Sequence, residues 1–253
     1  MIRVIFILLL SLLRPLSGMA DTVQVAVASN FGGAMQQIAK NFRKDSGHEA
    51  TVMAAGTGKL YAQIKNGAPF EVLLSADDKT PKKLEAEGLA VPGTRFTYAV
   101  GKLVLWSAQP NRVDGEGKIL RSGKFAHISL GNPKTVPYGQ AAVEVLRRLG
   151  LYEALEPRFV LGENVVHAQQ FVDSGNAELG FVAKSGIYKD GRMTGGSAWW
   201  IPDSLYSPIR QDAVLLKKGQ NNAAARALLD YLRQPPAKAI MTSLGYGVEQ
   251  DSP

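Results

Sequence analysis

Cysteine is absent from the 253 residues. No disulfide can form, and zinc–thiolate sites, iron–sulfur clusters and a cysteine nucleophile are excluded with it. Stability must come from burial, and a chain of this length removes roughly 70% of its unfolded surface from water. Histidine is scarce: His48, His127 and His167 are the only three. None stands at i,i+4 spacing with another or beside a Gly-x-Ser-x-Gly turn, so enzymatic chemistry finds little support. Basic residues come in pairs such as Lys82-Lys83, Arg147-Arg148 and Lys217-Lys218, never as a run, which argues against a nucleic-acid partner. No internal repeat or low-complexity stretch occurs. With 45% hydrophobic and 20% charged residues, the composition is globular rather than disordered, collagenous or coiled-coil.

One long apolar run exists, at the start. Residues 1–20 open on Met1, Ile2 and Arg3, stay almost wholly apolar from Val4 to Leu13, and close on small residues at Gly18 and Ala20. That design predicts a secretory signal peptide cleaved after about Ala20. A membrane span needs roughly 20 apolar residues, and Arg14-Pro15 interrupts this one too early; a buried N-terminal helix is the competing reading. Cleavage would remove Arg3 and Arg14 and lower the formal charge from +7 to +5. Without a cysteine to carry a lipid, the product is expected to be free in the periplasm.

From Asp21 onward, short β-branched runs alternate with amphipathic stretches. Strands are predicted at Thr22–Ala28, Glu49–Ala54 and Glu71–Ser75, with helices at Asn30–Lys44, Leu60–Lys65 and Lys79–Glu87. Phe31, Met35, Ile38 and Phe42 mark one face of the first helix. A long β-rich segment, Phe96–Ser107, is interrupted at Gly101. A second series follows: strand His127–Leu130, helix Gln140–Leu149, strand Arg158–Val160, helix Val165–Asp173 and strand Leu179–Ala183. Another extended segment, Tyr206–Leu216, and helices at Asn222–Leu232 and Pro236–Leu244 complete the chain. Strand–helix–strand rhythm implies parallel pairing through right-handed crossovers. Two such series separated by two extended segments predict an α/β protein of two lobes: residues 21–100 with 206–253, and residues 101–205. The crossings are placed near Val100 and Leu205. One continuous doubly wound sheet is the alternative.

Gly56-Thr57-Gly58-Lys59 looks like a phosphate loop but fails the Walker pattern, because Met53 and Leu60 stand where glycine and Ser/Thr are required. What survives is a strand that turns through glycine into a helix beginning on a hydroxyl residue, a construction that presents backbone N–H groups to an anion. It recurs at Ala28-Ser29-Asn30-Phe31-Gly32, at Asn132-Pro133 with Pro137-Tyr138-Gly139, and at Asn164-Val165. Each alone reads as a helix cap. Two per lobe would converge on a cleft beyond the carboxyl ends of the strands. Asp77 and Asp78, ahead of Lys79, read as acidic residues at a helix start, with magnesium binding as the alternative.

These residues carry a resemblance. The chain is similar to the periplasmic molybdate-binding proteins, the soluble receptors of molybdate ABC importers, through Val27-Ala28-Ser29-Asn30-Phe31, Gly56 to Ile64, Asn66-Gly67-Ala68-Pro69-Phe70, Ser75-Ala76-Asp77, Arg95 to Ser107, Gly131-Asn132-Pro133, Val136-Pro137-Tyr138-Gly139 and Leu179-Gly180-Phe181-Val182. The likeness spans essentially the whole chain after the leader. It implies a type II periplasmic binding protein fold, with a ligand cleft between lobes joined by two crossing strands. It also implies a monomer that needs no cofactor and docks on a membrane permease. Carried over, the oxyanion contacts fall on the hydroxyl and amide of Ser29, on Thr57 where many members have serine, and on the backbone amides of Tyr138 and Val165; Asn30 is an additional donor. Where many members place a tyrosine hydroxyl, this chain has Ala183, with Tyr138 as a candidate replacement.

Molybdate is fully deprotonated near neutral pH and offers only acceptors, so its site should hold only donors. Ser29, Thr57 and helix N-termini, each worth about half a positive charge, meet that need. Phosphate keeps a proton for which a carboxylate would be useful; Glu163, near Val165, is the acidic residue to watch. Molybdate or tungstate is the expected ligand, sulfate or another small tetrahedral oxyanion the alternative, and a secreted α/β hydrolase using Ser29 or Thr57 a remote one.

Overall fold

The computed structural model describes residues 21–248; the leader expected at 1–20 lies outside them. Strand β1 (Thr22–Ala28) is the axis of the first sheet. Its period-two alternation sends Val23, Val25 and Val27 to one face and Ala26 to the other, and both faces are buried. Helix α1 (Gly32–Ser46) covers the valine face with Met35, Ile38 and Phe42. Strand β2 (Glu49–Ala55) returns parallel to β1. Helix α2 (Thr57–Lys65) then lays Leu60 and Ile64 over the Ala26 face. Strand β3 (Val72–Leu74) is also parallel to β1, α3 (Lys79–Ala86) follows, and β4 (Phe96–Gly101) forms the far edge.

After Lys102 the chain enters a second sheet. Its members are β5 (Leu103–Ser107), β6 (Ile128–Gly131), β7 (Phe159–Gly162), β8 (Leu179–Ala183) and β11 (Ser197–Trp200), in the order β11-β5-β8-β6-β7. Helices α4 (Ile119–Ser122), α5 (Pro137–Arg148), α6 (Tyr152–Leu155), α7 (Val165–Asp173) and α8 (Lys184–Ile187) intervene, with a short hairpin of β9 (Tyr188–Lys189) and β10 (Arg192–Met193). The chain returns to the first sheet as β12 (Ile209–Leu215), which slots antiparallel between β3 and β4 to give β2-β1-β3-β12-β4. Helices α9 (Ala223–Tyr231) and α10 (Pro235–Ser243) cover the valine face beside α1. Two separate five-stranded sheets replace the alternative of one continuous sheet. Among the described residues no helix is long and apolar enough to cross a membrane.

Helices α2 and α5 begin three residues earlier than the apolar period suggests, at Thr57 and Pro137. Their first turns face the gap between the sheets, so core periodicity starts only one turn in. Strand β11 and the short helices α4, α6 and α8 escape the sequence pattern, because runs of four residues carry too few apolar positions to fix a period.

Strand β12 holds the strongest polar feature of the first sheet. Asp212, fully buried, follows a register shift at Gln211/Asp212. Arg95 reaches its carboxylate at 2.5 Å, Thr97 Oγ1 donates to it at 2.7 Å, and Arg95 Nε donates to Glu85 at 3.2 Å. Removing one member of a buried pair strands the other charge. Because Arg95 is partly exposed and Thr97 keeps its bond, Arg95→Met is expected to cost about 3 kcal/mol, at the low end for such pairs, read as a lower urea midpoint at unchanged slope.

Candidate functional site

The carboxyl ends of β1, β2, β6 and β7 all point into the gap between the sheets; β1 and β2 run almost directly into a helical turn or helix, β7 after two residues and β6 after a five-residue turn. Ser29 opens a 3₁₀ turn, Ser29–Phe31, that feeds α1. Gly56 is the N-cap of α2, Pro137 the first residue of α5, and Asn164 the N-cap of α7. Together these turns border one small, tight cavity. Ala28, Ser29, Asn30, Gly56, Thr57 and Ala76 line it from the first sheet; Val136, Pro137, Tyr138, Asn164 and Val165 close it from the second. All five residues singled out from the sequence, Ser29, Asn30, Thr57, Tyr138 and Val165, therefore border one cavity. No charged side chain is among its lining residues.

Local hydrogen bonding decides which donors the turns present. In α5, Pro137 has no N–H, while Gly139 and Gln140 both donate to the Val136 carbonyl at 3.0 and 3.1 Å; the Tyr138 N–H is what remains. In α7, the Asn164 side chain accepts from the His167 N–H at 3.0 Å and the Asn164 carbonyl from Ala168 at 3.1 Å, which leaves the N–H groups of Val165 and Val166. Thr57 is buried, and its Oγ1 accepts the Ala76 N–H at 3.3 Å. With an acceptor position of the oxygen used, its proton is free to donate into the cavity. The Ser29 hydroxyl has no protein partner among the described residues.

Asn30 departs from the sequence expectation in one respect. Its side-chain amide is directed away from the cavity: Nδ2 lies 3.0 Å from Gln211 Oε1, 3.2 Å from the Tyr246 hydroxyl and 3.4 Å from the Tyr138 hydroxyl. Its backbone carbonyl accepts from the Tyr246 hydroxyl at 2.7 Å, which leaves the backbone N–H as the donor still available. The Tyr138 hydroxyl likewise accepts from Gln211 Nε2 at 3.1 Å. Ala183 is itself buried at the end of β8. Burial pushes the Tyr98 and Tyr138 hydroxyls well above the ordinary tyrosine value, and that of Tyr246 upward too. All three remain protonated at neutral pH.

The sheets touch at the cavity. A Cβ on Gly56 would come within 2.9 Å of the Glu163 carbonyl and 3.3 Å of Asn164 Cβ, so two helix N-caps from opposite sheets are in van der Waals contact. Glu163 contributes that carbonyl, and its side chain is not part of the lining. None of the three histidines borders the cavity: His48 Nδ1 accepts from the Asp21 N–H, and His167 stacks on Phe171. Asp77 is tied into the start of α3, accepting from Thr80 N–H at 2.8 Å and Ser75 Oγ at 3.1 Å, and burial raises its pKa against those bonds. A second, wider space is bordered by the acidic Asp77, Asp78 and Glu144 together with the basic Lys79 and Arg210, a mixed-charge lining unlike the neutral one of the cavity. Among the described residues no group of three or more acidic or histidine side chains is placed to hold a metal ion.

Gln211, Tyr246, Ser185 and the Ala76 N–H were missed from sequence. Only Gln211 left a trace there, in the polar run Arg210-Gln211-Asp212 ahead of the apolar Ala213-Val214-Leu215.

The family model for bacterial extracellular solute-binding proteins matches residues 23–247. The molybdate-binding protein ModA of Azotobacter vinelandii is 57% identical over 230 residues, 91% of each chain. That of Rhodobacter capsulatus is 49% identical over 230 residues, covering 91% of this chain and 90% of its own. A solved periplasmic molybdate-binding protein from A. vinelandii superposes with a TM-score of 0.87 at 42% identity, over 90% of this chain and all of that one. With the α/β architecture and the neutral cleft already in place, the match over nearly the whole described chain means that this protein belongs to the bacterial extracellular solute-binding proteins.

Proposed function

We propose that the chain is a receptor that binds molybdate, and tungstate with it, between two lobes and delivers it to the membrane permease of an ABC importer without chemical change. One observation carries the reading: four helix-start turns surround a single small cavity that has hydroxyl and N–H donors and no charged side chain. Four partial positive ends at one point are stabilised by an anion and by little else. A carboxylate there would repel it, and a fixed cation would favour anions in general rather than one shape. The names and the 57% and 49% identities of the relatives support molybdate in particular.

In this reading Ser29 donates its hydroxyl and N–H, Asn30 its N–H, Thr57 its hydroxyl, and Tyr138 and Val165 their N–H groups. Residues 21–100 with 206–253 form one lobe and 101–205 the other, so neither lobe alone has a complete site and the anion selects the closed form. Export by a leader cleaved after about Ala20, with no lipid attached, puts the receptor in the periplasm as a free monomer.

Thermal shifts with molybdate, tungstate, sulfate and phosphate at equal concentration test the reading. A ligand at 100 times its dissociation constant adds about 2.7 kcal/mol of stability. Molybdate and tungstate are expected to give the large shifts; none from either rejects the proposal, and a larger one from sulfate transfers it to that anion. Ser29→Ala and Thr57→Ala are each expected to weaken molybdate binding by about tenfold, for one charge-assisted bond of about 1.5 kcal/mol or more; ligand-free stability stays at the wild-type level in Ser29→Ala and falls by about 1 kcal/mol in Thr57→Ala, which leaves the buried Ala76 N–H without its acceptor.

Gly56→Ala tests closure. The backbone at Gly56 (φ −64°, ψ 142°) suits alanine, so the lobe itself tolerates the change, and the added methyl collides only with the Glu163–Asn164 turn across the gap. Overpacking of about 1–3 kcal/mol predicts about tenfold to hundredfold weaker binding by calorimetry with an unchanged ligand-free melting temperature.

A further inference from the structure

Behind the cavity, on the side of the crossing strands, lies a second polar cluster that makes no contact with the proposed anion position. Gln211 is its centre. Fully buried on β12, it donates from Nε2 to the Tyr138 hydroxyl at 3.1 Å, and its Oε1 lies 3.0 Å from both Asn30 Nδ2 and the Tyr98 hydroxyl. Tyr246, in the segment after α10, donates to the Asn30 carbonyl at 2.7 Å and lies 2.8 Å from Ser185 Oγ, which is itself 3.3 Å from that carbonyl. Asn30, Tyr98, Gln211 and Tyr246 belong to the first sheet and its coverings. Tyr138 is on α5 and Ser185 on α8, both in the second. The cluster therefore joins the two halves through side chains, and in a hinged protein these bonds exist only when the halves are together.

Steric detail marks the cluster as more than core filling. The Tyr138 hydroxyl occupies the space beside Gly101, the last residue of β4 before the crossing, where a Cβ would overlap it and would come within 2.7 Å of Gln211 Nε2. A residue of one half is thus inserted against the strand that leads out of the other, in a gap that only glycine leaves open. Asn30 and Tyr138 also have two ends with different tasks. Both border the cavity, while their side chains end in the cluster.

We infer that Gln211, with the hydroxyls of Tyr138, Tyr246 and Ser185, forms a clasp that holds the two halves closed and sets how long the anion stays bound. The inference rests on the anion-receptor reading for its ligand, although the clasp itself is a property of the protein. The Gln211 amide and the three hydroxyls are positioning groups: Tyr138 meets the anion through its backbone N–H alone, and each clasp group acts through the population of the closed form, to which the apparent affinity is proportional. Burial keeps the tyrosine hydroxyls protonated, so the clasp stays intact through the neutral range.

The experiment uses the full exported chain with spin labels at Lys40→Cys and Asn176→Cys, two exposed positions on opposite halves; the absence of native cysteine leaves those the only labelled sites. Pulsed-EPR distances are measured with and without sodium molybdate, alongside calorimetric affinity and ligand-free melting temperature, for wild type, Tyr138→Phe, Gln211→Leu and Ser185→Ala. The Tyr138→Phe backbone still offers its N–H, so a direct contact is not lost. Expected are a ligand-free distribution shifted toward the longer, open distance in each variant and molybdate affinity reduced about fivefold to tenfold in Tyr138→Phe, the worth of about one net hydrogen bond, with tungstate weakened by the same factor. A distance distribution and affinity equal to wild type in Tyr138→Phe and Ser185→Ala overturn the clasp, as does a lowered melting temperature with both of those unchanged. Ser185→Ala, on a partly exposed turn, decides the matter if Gln211→Leu does not fold. Should molybdate leave even the wild-type distances unmoved, the receptor reading fails, and the ligand-free distributions still decide the clasp.

Discussion

Two helix N-termini in contact across a gap are the constraint on which the rest of this molecule depends. Gly56 and the Glu163–Asn164 turn meet at a distance that excludes even a methyl group, and the partial positive ends of α2 and α7 are thereby forced together with those of α1 and α5. Arranged this way in a buried space, such dipoles repel one another, and no side-chain carboxylate is present to relieve them. The arrangement becomes favourable when a small anion sits at the common point. Fold, closure and ligand charge are in this sense one problem, and a neutral donor set is its solution.

The two sheets make the convergence possible. Parallel pairing of β1 with β2 and of β6 with β7 aligns the carboxyl ends of four strands toward the gap, as open α/β sheets do at their ligand sites. The antiparallel strands β12 and β5 beside them carry the chain between the halves. Because β12 lies next to β4, the outgoing and returning segments are neighbours, and Gln211 and Gly101 stand together where the chain passes between the sheets. The Asp212–Arg95–Thr97 group fixes the strand immediately after Gln211.

The sequence was most legible where burial imposes a period. Helix α7 and strands β1 and β8 have the bounds read from their apolar alternation, since Val165–Asp173, Thr22–Ala28 and Leu179–Ala183 are each covered on the faces the pattern indicates. Periodicity failed at the first turns of α2 and α5, which face the cleft instead of a core, and at the four-residue elements. For the site, hydroxyl and helix-start residues could be picked out as types, because anion binding demands donors and glycine-permitted turns. Their side-chain directions could not. Asn30 reads as a donor to the anion, and its amide is in fact spent on Gln211 and two tyrosines 181, 108 and 216 residues distant in the chain.

Sequence by itself determined that this is an α/β chain without thiol chemistry, that its strands lead into helices through turns rich in glycine, asparagine and hydroxyl residues, and that the residues at those helix starts are neutral. Those properties are local: a strand's alternation, a proline at a helix start and a missing cysteine need no distant partner to be read. Tertiary structure decided that the four turns share one cavity, that Thr57 is oriented by the Ala76 amide, and that the side chains of Tyr138 and Asn30, which both border the cavity, meet at Gln211. Contacts between residues more than a hundred positions apart are set by how two sheets pack and cross, and no local pattern records that geometry.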